Sequence, residues 1–380
     1  MENSSRLKVL LVAEGSGGHL IPAIQVARIL THTGARIKLW YARRQQTEPL
    51  IQQLTHEMPA GAVETDPIVV TRSANPLARL WQCGQLWHRA EQCFDTFQPD
   101  VVVGFGGWLS APVVLAAHHR RIGCLLHEQN VVMGRANRLL APWVDRIALS
   151  FHETHPPVGS DRSVITGLPV RTEIGQGSRT HAAAQFGFDP AQSTLLVLGG
   201  SQGARAINRI VTQLIRQLTP VEQQVWQILH VTGATDEAAV KRAYADAKIR
   251  AWVASFCDDM AAAYAVADVV IARAGASTIA ELARCGTSAI LIPYPYAGGH
   301  QVANARLVEE IGGGLMLEER EAAPERVLGF IRHLLTDPRL RRVMGMQMRA
   351  LSAADAADRL ADLIVELARE RVIHNGTIGV

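Results

Sequence analysis

Short apolar runs rich in Val, Ile and Leu alternate along this chain with longer Ala- and Leu-rich stretches, and that alternation is its tightest constraint on fold. The runs at 9–13, 37–41, 101–103, 124–127, 146–149 and 164–165 are each too short for a helix. Enough chain separates them for helical crossovers, so the spacing predicts parallel strands joined by helices, an α/β architecture. A polar segment at 175–181 interrupts the pattern, which restarts with runs at 194–198, 227–230, 252–255, 269–271 and 289–292. Two doubly wound parallel sheets are therefore expected, one after the other. At 380 residues and 48% hydrophobic content, the chain is long for one core and suited to two. The expected bounds are an N-terminal domain at 1–168, a second at 169–350, and a terminal helix at 351–380. In that helix Leu351, Ala354, Leu360, Leu363, Ile364 and Leu367 recur at roughly helical spacing, which suits packing back on the N-terminal domain.

Lys and Arg number 38 against 35 acids, so the net charge of +3 implies no general attraction to a polyanion, and no nucleic-acid partner is expected. The five cysteines, Cys83, Cys93, Cys124, Cys257 and Cys285, form no CxxC pair and accompany no histidine cluster. They read as reduced thiols; neither a metal site nor a cofactor is expected. The first apolar run is too brief for a secretion signal or a membrane span, and glycines and Pro112 break the longest uncharged stretch, 101–117. No transmembrane segment is expected.

Several strands run straight into glycine. In GSGGH at 15–19 and GGSQGAR at 199–205, glycines let the backbone approach a ligand and a helix N-terminus follows, which favours negative charge. Neither segment is a P-loop or a full dinucleotide fingerprint, so each alone also fits an ordinary tight turn. HEQN at 127–130 offers imidazole, carboxylate and amide groups for sugar hydroxyls, or forms a plain polar loop. In RAGASTIAE at 273–281, Glu281 falls about two turns into a helix, where it would accept ribose hydroxyls or act as a solvated or capping acid. His300 and Gln301 add donors after a Pro- and Gly-containing loop.

The order of these segments resembles the MurG family, the N-acetylglucosaminyltransferases that make lipid II. The matching pieces are GSGGHLIPA at 15–23, GFGGWLSAP at 104–112, LHEQN at 126–130, GLPVR at 167–171, GGSQGARAIN at 199–208, FCDDMAAAYAVADVVIARAGASTIAE at 256–281 and HQVANA at 300–305. The resemblance implies the GT-B fold, two Rossmann-like domains with an interdomain cleft and the donor nucleotide mostly on the C-terminal one. It implies donor contacts from Ser16, Gly17, Gly18, Asn130, Arg171, Ser201, Gln202 and Gly203. Cys257 would border the uracil through its backbone, Ala276, Ser277, Thr278 and Glu281 would cradle diphosphate and ribose, and His300 with Gln301 would face the donor sugar. The implied partners are UDP-N-acetylglucosamine, an undecaprenyl-pyrophosphoryl-muramyl-pentapeptide lipid acceptor and an anionic membrane surface. The implied location is peripheral, on the cytoplasmic side of the cell membrane.

The chain departs from the family pattern at Glu14, usually Gly, at Ser16, usually Thr, at Cys257, usually aliphatic, and at Gly298 and Gly299, usually polar. A carboxylate at 14 is expected to weaken anion binding in the first loop unless it points elsewhere. No Asp-x-Asp pair stands in a suitable loop, so helix N-termini and Arg171 are expected to stabilise the leaving diphosphate without metal. His19 is the first candidate for general base, with orientation of acceptor phosphates as its other reading, and Glu128 is the second candidate. In 76–89, Leu77, Leu80, Trp81, Gly84 and Trp87 follow helical spacing beside Arg72, Arg79 and Arg89. That stripe fits an interfacial helix, or a helix packed on the core. Two rival functions are another GT-B transferase with a soluble acceptor, and a nucleotide-sugar-binding homologue without catalysis.

Overall fold

The computed structural model describes residues 6–376 apart from 16, 44–46, 48–50, 53–57, 71–74, 201–202 and 297. The chain forms two compact units, one of residues 1–170 with 353–380 and the other of 171–352.

The first unit is built on β1 (Lys8–Ala13), β2 (Arg36–Ala42), β3 (Val63–Ile68), β4 (Val101–Gly104), β5 (Gly123–Glu128), β6 (Arg146–Leu149) and β7 (Ser163–Ile165). Their order is β3-β2-β1-β4-β5-β6-β7, every pair parallel, with Leu11 opposite Leu39 on one side and Val103 on the other. Side chains of a strand alternate between faces, so a parallel sheet must be covered on both. Val9, Leu11 and Ala13 accordingly enter one core, while Leu10 and Val12 enter the other. Helix α1 (Gly17–His32) covers the first face; α2 (Pro76–Phe97) and α3 (Ser110–His119) cover the second.

The terminal helix Ala356–Gly376 packs on this unit, burying Leu360, Leu363, Ile364 and Leu367 with Leu20, Ile24 and Leu30. Each such aliphatic side chain contributes roughly 1.5–3 kcal/mol. Arg146 Nη2 to Glu370 Oε1, at 2.7 Å, adds an ion pair at the edge.

The second unit holds β8 (Ser193–Leu198), β9 (Trp226–Val231), β10 (Arg250–Ala254), β11 (Val269–Ala272), β12 (Ala289–Leu291) and β13 (Gly314–Met316), ordered β10-β9-β8-β11-β12-β13 and all parallel. In both sheets the chain leaves the first strand one way and returns on its other side, so β1/β4 and β8/β11 are switch points. Loops beyond the C-terminal strand ends diverge there and leave a crevice.

Candidate active site

In the first unit, Glu14 and Gly15 leave β1 and α1 begins at Gly17, with Pro22 inside it. Pro22 stands in the second turn of this helix, where it lacks the N–H that would bond the Gly18 carbonyl. Gly17, Gly18 and His19 are half-buried in the first turn. Ser16 lies outside the described residues.

The loop after β4 lies against that turn. Phe105 N donates to Val12 O at 2.9 Å, and Ser110 Oγ donates to Gly106 O at 2.8 Å. Gly106 and Gly107 have φ of +86° and +82°, which side chains rarely adopt. A Cβ on Gly106 would stand 3.2 Å from His19 Nε2, and one on Gly107 2.6 Å from the Glu14 carboxyl carbon. The two glycines therefore make room for the His19 ring and the Glu14 side chain. Glu14 spends its reach on the neighbouring loop.

After β5 the HEQN segment turns inward. His127, Glu128 and Gln129 are buried, and only Asn130 is half-exposed. Both Glu128 oxygens are occupied: Oε1 accepts from Asn130 N at 2.9 Å and Nδ2 at 3.2 Å, Oε2 from Gly134 N at 2.9 Å and Asn137 Nδ2 at 2.8 Å. His127 Nε2 donates to Gly167 O at 3.2 Å, and its Nδ1 accepts from Gln129 Nε2 at 3.0 Å. Burial drives this imidazole down to about 4, so it is neutral. Of the two readings of HEQN, sugar-facing groups or a plain polar loop, the second describes the first three side chains, which hold the loop together. Asn137, which sequence reasoning passed over, joins them, and its buried Oδ1 has no partner among the described residues.

In the second unit β8 runs into Gly199, Gly200, Gly203 and Ala204 before the helix Arg205–Leu214; Ser201 and Gln202 lie outside the described residues. A Cβ on Gly199 would overlap the Ala204 amide nitrogen, and one on Gly203, at φ +74°, the Thr232 carbonyl. Only glycine fits at either place.

Beyond β11, Gly275 caps the helix α10 (Ala276–Cys285), counting helices along the chain, and Ala276, Ser277 and Thr278 form its first turn. Glu281 sits on it, buried, with Oε2 accepting from the Tyr264 hydroxyl at 2.9 Å and Oε1 3.5 Å from Arg171 Nη2. Burial raises the Glu281 carboxyl above its ordinary value, against the pull of Arg171 and Tyr264. Ser277 Oγ and Arg171 Nε are buried without a hydrogen-bond partner among the described residues. Buried donors without partners are rare and costly, and a ligand oxygen would satisfy them.

Cys257 is buried and its thiol is directed at Asp259 O, 3.4 Å away, which leaves the backbone as the group it presents. The helix α11 (His300–Glu310) is tied to the same region. Gln301 Oε1 accepts from Tyr294 N at 2.9 Å, and Asn304 Nδ2 donates to Ala274 O at 3.1 Å. Tyr264 and Asn304 were missed from sequence because each acts through a partner and neither is itself in a turn.

Residues 9–149 match the model of the Glycosyltransferase family 28 N-terminal domain, and residues 194–360 that of the Glycosyltransferase family 28 C-terminal domain. A UDP-N-acetylglucosamine--N-acetylmuramyl-(pentapeptide) pyrophosphoryl-undecaprenol N-acetylglucosamine transferase of Mesorhizobium japonicum is 37% identical, covering 96% of both chains. The protein of the same name from Syntrophotalea carbinolica is 38% identical over 93% of this chain and 97% of its own. The chain belongs to the MurG family of glycosyltransferase family 28. The crystal structure of Acinetobacter baumannii MurG, 29% identical, superposes with a TM-score of 0.72 over 95% of this chain and 99% of that one. A Neisseria meningitidis UDP-GlcNAc 2-epimerase, 12% identical with a TM-score of 0.69, shares the fold alone. Two parallel Rossmann-like sheets of this kind are the GT-B class of the MurG family.

Proposed function

We propose that this chain transfers N-acetylglucosamine from UDP-N-acetylglucosamine to the muramyl sugar of an undecaprenyl-pyrophosphoryl-linked acceptor, forming lipid II. The observation that carries this reading is the likeness, over nearly the full length of both chains, to relatives named for that reaction. The second unit is assigned the donor. The N-terminus of the helix Arg205–Leu214 that follows the glycines and the first turn of α10 offer backbone N–H groups to the diphosphate. Glu281 accepts from the ribose, Ser277 Oγ and Arg171 Nε supply unused donors, and His300 with Gln301 faces the sugar.

The first unit is assigned the acceptor. His19 takes the proton of the muramyl hydroxyl as its oxygen attacks the anomeric carbon, and the bond to the diphosphate oxygen breaks with UDP leaving. Attack opposite the leaving group inverts the α-linked donor to a β-linked product. Glu128, with both oxygens committed, is a positioning residue for Asn130 and the 128–137 loop. The departing charge is borne by helix N-termini and Arg171.

Leu77, Leu80 and Trp81 of α2 are each about two-thirds exposed or more, and Val69, whose carbonyl accepts from Gln82, extends the patch. Trp and Leu beside Arg79 suit the headgroup layer of an anionic membrane. The reading places the protein peripherally on the cytoplasmic side. Arg89 takes no part, because its guanidinium lies over Trp40 at 5.3 Å and 3.6 Å from Asp66. Trp87 packs inward against the second core. Among the described residues no helix is long and apolar enough to cross a membrane.

The test mixes purified protein, labelled UDP-N-acetylglucosamine and lipid I without divalent metal. A labelled lipid product is expected; label transferred only to a soluble acceptor, or no transfer, overturns the reading.

A further inference from the structure

The second unit holds an open cavity of about 480 Å³ whose lining shares only Tyr264 with the assignments above. It lies at the opposite end of the sheet from the glycine turns, since Asp268 and Ser288 on its lining immediately precede β11 and β12. One wall is the helix Pro338–Arg349, which contributes Arg341, Arg342 and Arg349. Seven residues make two helical turns, so Arg342 and Arg349 share a face about 10 Å apart along the axis.

The acid facing them is already matched. Asp268 Oδ2 accepts from Arg179 Nη2 and Thr194 N, both at 2.8 Å, and Oδ1 stands 3.8 Å from Arg341 Nη2. Arg341 Nη1 donates to the Leu334 and Leu335 carbonyls at 2.6 and 2.8 Å, and Arg349 Nη2 to the Cys285 carbonyl at 3.0 Å. Those carbonyls end two helices, and each such terminus carries about half a negative charge. Together they offset about one of the three cations. Arg342 is exposed and has no hydrogen bond or ion pair among the described residues. The wall therefore keeps a positive excess with guanidinium N–H donors to spare.

We propose that this cavity binds a small phosphate-bearing anion, with two phosphoryl groups or one phosphoryl group on a larger body. Guanidinium forks match phosphoryl oxygens, and the buried Thr287 and Ser288 add hydroxyls at the floor. The spacing of Arg342 and Arg349 and a volume in the range of small-ligand pockets exceed what one inorganic phosphate fills. Such a group comes from a soluble phosphorylated molecule or from a phospholipid headgroup.

Calorimetry of the full chain with inorganic pyrophosphate tests the site. Any pyrophosphate bound at the glycine turns is common to all variants, so the component lost on substitution is the cavity's. Arg342→Glu is expected to weaken that component by about tenfold or more. Arg349→Gln is expected to weaken it too, with a melting curve to show that loss of the Cys285 contact has not unfolded the chain. Arg250→Glu, an exposed arginine outside the cavity with the same charge change, is expected to leave it intact. An isotherm unchanged by Arg342→Glu, or one weakened equally by Arg250→Glu, overturns the proposal. Vesicles of phosphatidylcholine with phosphatidic acid separate the sources: binding lost in Arg342→Glu assigns a lipid headgroup, and binding retained while the pyrophosphate component is lost assigns a soluble ligand.

Discussion

The Tyr264 hydroxyl donates to Glu281 Oε2 at 2.9 Å while Arg171 Nη2 stands 3.5 Å from Oε1, so a carboxylate enclosed in the second unit is held by one neutral donor and one cation. Burial outweighs both and raises its pKa above its ordinary value. The folded chain thus keeps this proton to higher pH than the unfolded chain does. Within that interval the folded state binds more protons, and stability falls as pH rises through it.

Donor binding runs the other way, because ribose hydroxyls donate best to the ionised form. Affinity for UDP-N-acetylglucosamine is expected to rise through the same interval. Glu281→Gln should bind about tenfold more weakly and lose both pH slopes, in calorimetry and in melting curves. Unchanged affinity at neutral pH would remove Glu281 from the donor site.

His19 rests against the backbone of Gly106 at the mouth of the β1/β4 crevice. A general base contributes about 100-fold or more to turnover. His19→Ala should lower kcat by that amount while the dissociation constant for the donor changes less than about twofold. The reverse split, tight turnover and lost affinity, would make it a binding residue.

The central strands were legible because they are buried on both faces and read as unbroken apolar runs; with the edge strands β7 and β10, all eleven apolar runs fall on β1, β2 and β4 to β12. Of the four edge strands, β7 and β10 kept a short apolar run and were legible, while β3 and β13 were not. β3 reads VETDPI, with charges and Pro67 where the edge faces water, and β13 is three residues beginning with glycine. The glycine turns were visible as motifs, but why they need glycine was not: the Thr232 carbonyl that excludes a side chain at 203 is distant in sequence. Roles carried by partners were hidden for the same reason. Nothing in HEQN says that Glu128 turns back to Gly134 and Asn137, or that Tyr264 reaches Glu281.

Two buried histidines set an acid limit. Burial lowers His127 to about 4 and His230 to about 3 from an ordinary 6.5. The unfolded chain takes up these protons first, so stability present above pH 6.5 is lost as pH falls towards the folded values. By linkage the stability lost between neutral pH and full protonation is roughly 3 kcal/mol for His127 and roughly 5 kcal/mol for His230. His127→Gln, which can still donate to Gly167 O, should flatten the fall in melting temperature between pH 6.5 and 4. An unaltered slope would mean that other groups govern acid unfolding.

The patch on α2 separates membrane binding from folding. Leu80 and Trp81 are 68% and 69% exposed, so replacing both with Ser removes little packing, and the melting temperature should hold within the change expected of a surface substitution, about 0.5 kcal/mol. Sedimentation with anionic vesicles should drop, since each exposed side chain loses the roughly 1.5–3 kcal/mol that burial in the acyl boundary would supply. Arg79→Glu should weaken binding further, most strongly at low salt, because the reversed charge is repelled by the anionic surface and salt screens that repulsion. Arg89→Glu is expected to act on stability instead, through its contacts with Trp40 and Asp66. Vesicle binding that survives the double Ser substitution and Arg79→Glu would place the membrane-facing surface elsewhere on the chain.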